Sequence, residues 1–264
     1  MINAKNITVA YGKNKILDGL DFDAKAGEIS AIVGPNGSGK TTLLRALTAE
    51  MPFQGQVTLN EMDIKTAPAW KLAAQRAVLS QSTSLSFPFQ AIEIVRLGVQ
   101  GGNQSDTSIA QEALERVGLG GYGPRFYQEL SGGEQQRVQL ARVLCQVWRP
   151  VENGQPKWLF LDEPVSSLDI GHQLLVMQIA QDFAQAGGGV VTVMHDLNLS
   201  AMYAHTITLM DKGRIIDRGA AAHVLSDENV SRAYKCDVRT SMPPAERGWY
   251  VLPQATSQTS SAMT

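Results

Sequence analysis

The chain has 264 residues, 44% of them hydrophobic and 18% charged, with a formal net charge of -2. That length admits one large domain or two small ones, with ample apolar material for a core. There is no basic excess of the kind a nucleic-acid-binding protein carries, and no apolar run long enough to span a bilayer. Cys145 and Cys236, the two cysteines, lack metal-ligand spacing, so each is read as a small buried apolar residue in a reducing compartment. Residues 1–6 lack the apolar stretch of a secretion signal. A soluble cytoplasmic chain is therefore expected, and any membrane role would pass through a partner.

Taken in order, Ile7, Val9 and Tyr11 alternate with polar or small residues and lead into a turn at Gly12-Lys13-Asn14. Leu17, Leu20 and Phe22 mark a second strand, and Ala26-Gly27 turns the chain into a short buried strand at 29–33. A helix is predicted over 40–50, a strand at 55–59, a short helix at 69–76 and a strand at 77–80 that ends at Gln81. Residues 82–89 read as a loop. Apolar residues at helical spacing predict helices at 91–99 and 106–117, separated by a loop at 101–105, and a longer helix at roughly 133–147. No strand is evident in this middle third, which reads as a helical subdomain inserted into an α/β core. A turn-rich stretch with Asn153-Gly154 follows at 150–156. Trp158 to Leu161 are continuously apolar, as in a strand buried on both faces of a parallel sheet. A helix at 174–183, a buried strand at 190–194 and a hairpin of 207–210 with 214–217 complete the pattern. Residues 253–264, rich in Ser, Thr and Gln, are predicted to be disordered.

Three stretches carry chemistry. The first is Gly34-Pro35-Asn36-Gly37-Ser38-Gly39-Lys40-Thr41, which fits the phosphate-loop pattern G-x-x-x-x-G-K-[ST] between a strand and a helix. Backbone N–H groups and the positive end of the helix dipole converge there, and the glycines let phosphate oxygens approach the backbone. Lys40 is expected to reach the β- and γ-phosphates of a bound nucleotide, and the Thr41 hydroxyl to ligate Mg²⁺. The second is Asp162-Glu163, two carboxylates at the carboxyl end of the buried strand, the edge where α/β sheets bind ligands. By itself that pair could be an N-cap before Pro164. With a phosphate loop upstream, Asp162 is read as the Mg²⁺ holder and Glu163 as the group that polarises the attacking water. The third is Leu130-Ser131-Gly132-Gly133-Glu134. Ser131 and Glu134 have capping-box spacing. The paired glycines weaken a helix unless its N-terminus must come close to an anion.

In this combination the chain resembles the ATP-binding cassette ATPases, the nucleotide-binding subunits of ABC transporters. Residues 130–134 match the LSGGE signature, and the phosphate loop and Asp162-Glu163 match the two Walker motifs. Tyr11 matches the aromatic residue that stacks on adenine, Gln81 the Q-loop glutamine, Ser167-Leu168-Asp169 the D-loop, and His195 the switch histidine. Val165 departs from the threonine of many relatives, with no catalytic role affected. The other histidines, His172, His205 and His223, are read as surface or packing residues. The resemblance covers residues 1 to about 225 and implies a P-loop NTPase fold with a mixed-sheet core. The expected division is a core of 1–82 with 157–252, a helical subdomain of 83–156 and a tail of 253–264.

The same resemblance implies a homodimer sandwiching two ATP molecules. Residues 34–42, Thr42 included, hold the triphosphate of one copy. Ser131 and Gly133 of the other copy close over the γ-phosphate, Gly132 and Asp169 count among the nucleotide-binding residues, and Gln81 also touches Mg²⁺. Glu163, His195 and Gln81 are the expected catalytic set. Two transmembrane permease subunits and a substrate-binding protein acting through them are the implied partners, with the ATPase peripheral at the cytoplasmic face of the inner membrane and no nucleic acid bound. Phe87-Pro88-Phe89 and the helix after it resemble the importer group for iron-siderophores, cobalamin and heme. The spacer from Trp148 to Trp158 is similar to hemin import ATP-binding proteins, so heme is the expected cargo, with ferric siderophore or cobalamin as the alternative. A soluble ABC protein of the ribosome or DNA would carry two cassettes or a coiled-coil insertion. Intact Lys40, Asp162, Glu163 and His195 argue against a module that has lost catalysis.

Overall fold

The computed structural model describes residues 1–81, 87–99, 105–242 and 251. The chain opens with a hairpin, β1 (Ile2–Tyr11) and β2 (Asn14–Ala24). Then come β3 (Ile29–Val33) and α1 (Lys40–Leu47). Next are β4 (Gln54–Leu59), β5 (Met62–Asp63), α2 (Ala69–Gln75) and β6 (Arg76–Leu79). The helical stretch holds α3 (Ala91–Arg96), α4 (Ser105–Arg116) and α5 (Gly132–Gln146). The chain then makes β7 (Val151–Glu152), β8 (Gln155–Pro156), β9 (Trp158–Asp162), α6 (Ile170–Gln185) and β10 (Gly189–Val193). It closes with α7 (Leu197–Tyr203), β11 (Thr206–Asp211), β12 (Arg214–Gly219), α8 (Ala221–Val224) and α9 (Asp227–Tyr234).

Two sheets organise these elements. An antiparallel sheet has the order β2-β1-β4-β5, and a six-stranded sheet has the order β12-β11-β3-β10-β9-β6. The second is mixed: its strands run parallel except for the edge strand β12, which returns antiparallel from β11. Every residue of β3, β9 and β10 is buried, so their sequences are mostly apolar without alternation, as layers on both faces require, with Ser30, Asp162 and Thr192 the buried polar exceptions. One apolar cluster lies between this sheet and helices α3 to α7, running unbroken from Ile29 and Ala31 of β3 to Val138 and Ala141 of α5. The other packs α1 and the antiparallel sheet against the opposite face, with Leu43, Leu47, Phe22 and Phe160 inside it.

The structure departs from the sequence expectations in several places. Helix α1 stops at Leu47, three residues before the predicted end, because Thr48 Oγ1 turns back to donate to Leu44 O and Arg45 O, and Ala49 takes φ +52°. The turn-rich stretch before β9 is a small hairpin. Asn153 and Gly154 both take positive φ, which gives the tight turn whose twist suits a two-residue connection. Helix α6 starts four residues earlier than predicted, capped by Asp169. Helices α7, α8 and α9 were not foreseen. Cys145 is buried as expected, but Cys236 is exposed, since it follows the end of α9 instead of packing under it. Residues 82–86 of the predicted loop at 82–89, residues 101–104 of that at 101–105, and the tail at 253–264 lie outside the described residues.

Asn60, between β4 and β5, ties distant segments together. Its Nδ2 donates to Gln75 Oε1 at 2.9 Å and to Pro156 O at 2.8 Å, and its Oδ1 accepts from the Trp158 indole at 3.0 Å. Its φ of +47° suits asparagine better than most side chains. Asn60→Ala strands the indole N–H of a fully buried Trp158. The expected loss is about 2–4 kcal/mol of stability, read as a lower urea midpoint with an unchanged slope.

Candidate active site

The register of the parallel strands builds the site. Ile32 pairs with Val193, and Val193 with Asp162. The loops leaving β3, β9 and β10 therefore start side by side at one sheet edge. Gly34, Glu163 and His195 all lie just past those strand ends.

The phosphate loop is fixed from behind. Gly34 has φ +146°, and a Cβ there would lie 2.1 Å from Met210 O. Gly39, at φ +101°, would set a Cβ 2.9 Å from Leu17 Cδ2. These two glycines are thus required by packing against β11 and β2, and not only by phosphate access. Gly37 faces open space at φ +75°, so no packing contact accounts for it. Gly213 N–H donates to Ser38 O at 2.9 Å, bracing the loop against the β11–β12 turn. The Lys40 side chain is buried and curls into the loop, with Nζ donating to Gly34 O at 2.9 Å and Pro35 O at 3.0 Å. Burial lowers its pKa, and the Glu163 and Asp162 carboxylates counter that in part. An ammonium has three N–H donors, so one remains for a phosphate oxygen.

Asp162 is 1% exposed and accepts from Thr41 Oγ1 at 3.0 Å. Burial raises its pKa, offset in part by the Thr41 bond, with Glu163 adding to the rise. Glu163 stands between two side chains. Its Oε2 accepts from Gln81 Nε2 at 2.9 Å, and its Oε1 lies 2.5 Å from His195 Nε2, which donates when it carries the ring proton. Gln81 and Glu163 are 82 positions apart, and His195 lies 32 positions beyond Glu163. A cavity of about 410 Å³ opens above them, with Asn36, Gly37, Lys40, Thr41 and Thr42 on its other wall. A larger groove of about 780 Å³, lined among others by Met51, Phe53, Leu72 and Arg76, shares none of these groups.

The remaining candidates lie outside the cavity. Tyr11 is 62% exposed at the β1–β2 turn. Ser131 heads α5 with the capping box foreseen: its Oγ accepts from Glu134 N at 3.3 Å, and its own N–H donates to Glu134 Oε2 at 2.8 Å. Gly132 has nothing within 4 Å of a Cβ position, whereas a Cβ on Gly133 would lie 3.1 Å from Leu168 Cδ2. Asp169 caps α6, accepting from His172 N–H at 2.9 Å, and its other oxygen meets His172 Nδ1 at 2.8 Å. His205 and His223 are both exposed: His205 Nδ1 accepts from Ile29 N–H, and His223 faces Asp217. One contact was not anticipated. Gln136, three positions past Gly133 in α5, donates to Glu163 O at 3.0 Å. Nothing in its local sequence marks that partner.

A family model described as ABC transporter matches residues 17–166. The chain belongs to the ABC transporter family. It is 56% identical over 254 residues to a hemin import ATP-binding protein of Ruegeria sp. (strain TM1040), covering 96% of this chain and 98% of that one. A protein of the same description from Jannaschia sp. (strain CCS1) is 52% identical over 263 residues, covering 99% and 97%. Among solved structures, a dimeric bacterial ABC transporter cassette superposes with a TM-score of 0.72 at 26% identity, covering 84% of this chain and 99% of that one. The α/β core with its mixed sheet is thus the cassette fold, and the cassette is a nucleotide-binding domain.

The burial of Asp162 gives a test. A carboxyl whose folded pKa is raised favours the protonated state in the fold. Its stabilising contribution is therefore present at low pH and lost as pH rises through the folded pKa. At neutral pH an ionised Asp162 destabilises the nucleotide-free protein. Asp162→Asn, whose Oδ1 still accepts from Thr41, is expected to raise the nucleotide-free melting temperature while abolishing Mg²⁺-dependent hydrolysis. Scanning calorimetry at two pH values and a phosphate-release assay check both parts.

Proposed function

We propose that this chain is the ATPase subunit of a heme importer, hydrolysing ATP at the cavity between the phosphate loop and Glu163. The observation that carries the catalytic reading is the Glu163 carboxylate held by Gln81 and His195 over that cavity. The cargo reading rests on relatives described as hemin import ATP-binding proteins, similar over nearly the whole chain.

In this reading the amides of residues 34–42 and Lys40 bind the triphosphate, where the loop and helix dipole favour an anion. Glu163 accepts a hydrogen bond from the attacking water and aligns it with the γ-phosphorus. His195 and Gln81 fix the carboxylate so that little reorganisation accompanies attack. Oxygen ligands suit Mg²⁺. Thr41 Oγ1 and Asp162 Oδ1 lie within one hydrogen bond of each other, and Gln81, donating through Nε2, keeps its Oε1 for a ligand. When bound, Mg²⁺ would neutralise charge developing on the β- and γ-phosphates.

Ser131, Gly132, Gly133 and Asp169 do not line the cavity of their own chain, which suits a second copy. The proposed assembly is a two-fold dimer in which Ser131, Gly132 and Gly133 of one copy close over the triphosphate of the other. Tyr11 stacks on the adenine. The proposed partners are two transmembrane permease subunits, served by a binding protein, with the helical subdomain of 83–156 and the Gln81 loop turned toward them. No described helix is long and apolar enough to cross a membrane, and the proposed place is peripheral, at the cytoplasmic face.

Two measurements check this. Glu163→Gln is expected to retain ATP binding while turnover falls about 10²–10⁴-fold, the range for loss of a positioned general base. Hydrolysis at the wild-type rate would remove Glu163 from its role. The chain is then assembled with its permease in lipid, and the binding protein is loaded in turn with heme, a ferric siderophore and cobalamin. Heme alone is expected to stimulate hydrolysis and enter. A response only to a siderophore or cobalamin would keep the ATPase and replace the cargo.

A further inference from the structure

Glu163 holds a backbone state that its own sequence opposes. Its φ is +52°, in the left-handed region where Cβ meets the following carbonyl. Pro164 follows it, and a proline ring pushes the preceding residue toward extended backbone. Such a conformation persists only where the surroundings over-determine it.

Here the main-chain groups of Glu163 are held from several sides. Its N–H donates to Val193 O of β10 at 3.1 Å. Its carbonyl accepts from Ser166 Oγ at 3.2 Å, within the same turn, and from Gln136 Nε2 at 3.0 Å. Gln136 brings its donor from a separate element, α5, across 27 positions of sequence. Its Oε1 is buried with no hydrogen-bond partner among the described residues. Turning the amide over would face two acceptor oxygens, so the orientation with Nε2 toward the carbonyl is fixed.

We propose that Gln136 is a positioning residue for Glu163, its amide holding the left-handed backbone that aims the carboxylate between Gln81 and His195. This rests on the reading of Glu163 as the water-orienting group of an ATPase. It has a consequence for coupling between copies. Ser131 and Gln136 lie on one helix, roughly one and a half turns apart. The segment that meets the partner copy's nucleotide is thereby joined to the carboxylate of its own copy.

Gln136→Leu keeps the size of the side chain and removes the donor. Turnover of ATP is expected to fall about ten- to a hundredfold, the scale of a misplaced catalytic group. KM and the affinity for a fluorescent ATP analogue are expected to stay within about twofold, as for an interaction that matters in the transition state alone. Gln136→Glu, isosteric but facing the carbonyl with an acceptor, should give the same split and decides the matter if Gln136→Leu does not fold. Turnover within about twofold of wild type in a folded variant would overturn the proposal. So would parallel loss of turnover and nucleotide affinity, which marks a general structural role. Glu163→Gln is measured beside them. If it hydrolyses normally, the reading of Glu163 fails. If it is dead while Gln136→Leu is fully active, only the role of Gln136 fails.

Discussion

The pairing of β10 with both β3 and β9 is the constraint on which the site depends. Val193 lies beside Ile32 on one side and Asp162 on the other, so three loops leave the sheet together. A slip of one residue in either pairing would turn every side chain of a strand to the opposite face. Burial on both faces opposes that slip, because each face has its own apolar cluster to complete. The alignment is thus held by the core and not by the polar groups that use it. Glu163 N–H, bonded to Val193 O, extends the same pairing one residue past the strand.

Several residues at this edge hold backbone conformations that side chains avoid. Gly34 and Gly39 take positive φ in crowded positions, and Glu163 takes it without being glycine. Each is braced by neighbours from other elements: Met210 O behind Gly34, the Leu17 side chain against Gly39, and Gln136 and Val193 on Glu163. This stiffness suits phosphoryl transfer, in which the protein contributes mainly by positioning and by fixed charges. The Lys40 ammonium and the two carboxylates share one partly buried region. Their mutual attraction offsets some of the cost of removing Lys40 from water.

The candidate residues fall into two groups. Gln81, Glu163 and His195 meet within one copy, while Tyr11, the Ser131 helix start and Asp169 lie outside its cavity. Among the described residues, one wall of the cavity carries the phosphate loop and the other Gln81, Glu163 and His195. Under the proposed function, a helix start that lies outside the cavity of its own chain suits a device in which nucleotide joins two copies, with closure and reopening as the mechanical output.

What the sequence determined by itself was local or regularly spaced. The phosphate-loop pattern, the predominantly apolar runs of β3, β9 and β10, the Ser131–Glu134 capping box and the hairpin at Lys212-Gly213 each follow from chemistry within a few residues. Gln81 and His195 were found through the order of family motifs, and their local sequences carried no account of what they touch. Only the tertiary structure decided that both grip Glu163, that Gly34 and Gly39 are demanded by Met210 and Leu17, and that Cys236 is exposed. The same holds for Asn60, which joins β4 to α2, β8 and β9, and for Gln136. In each case the partner lies tens of residues away, and the contact exists because strand register and helix packing bring the two together. Register is a property of the whole core. A short window of sequence encodes a propensity for strand or helix, and the position of a distant neighbour is set by the packing of all the others.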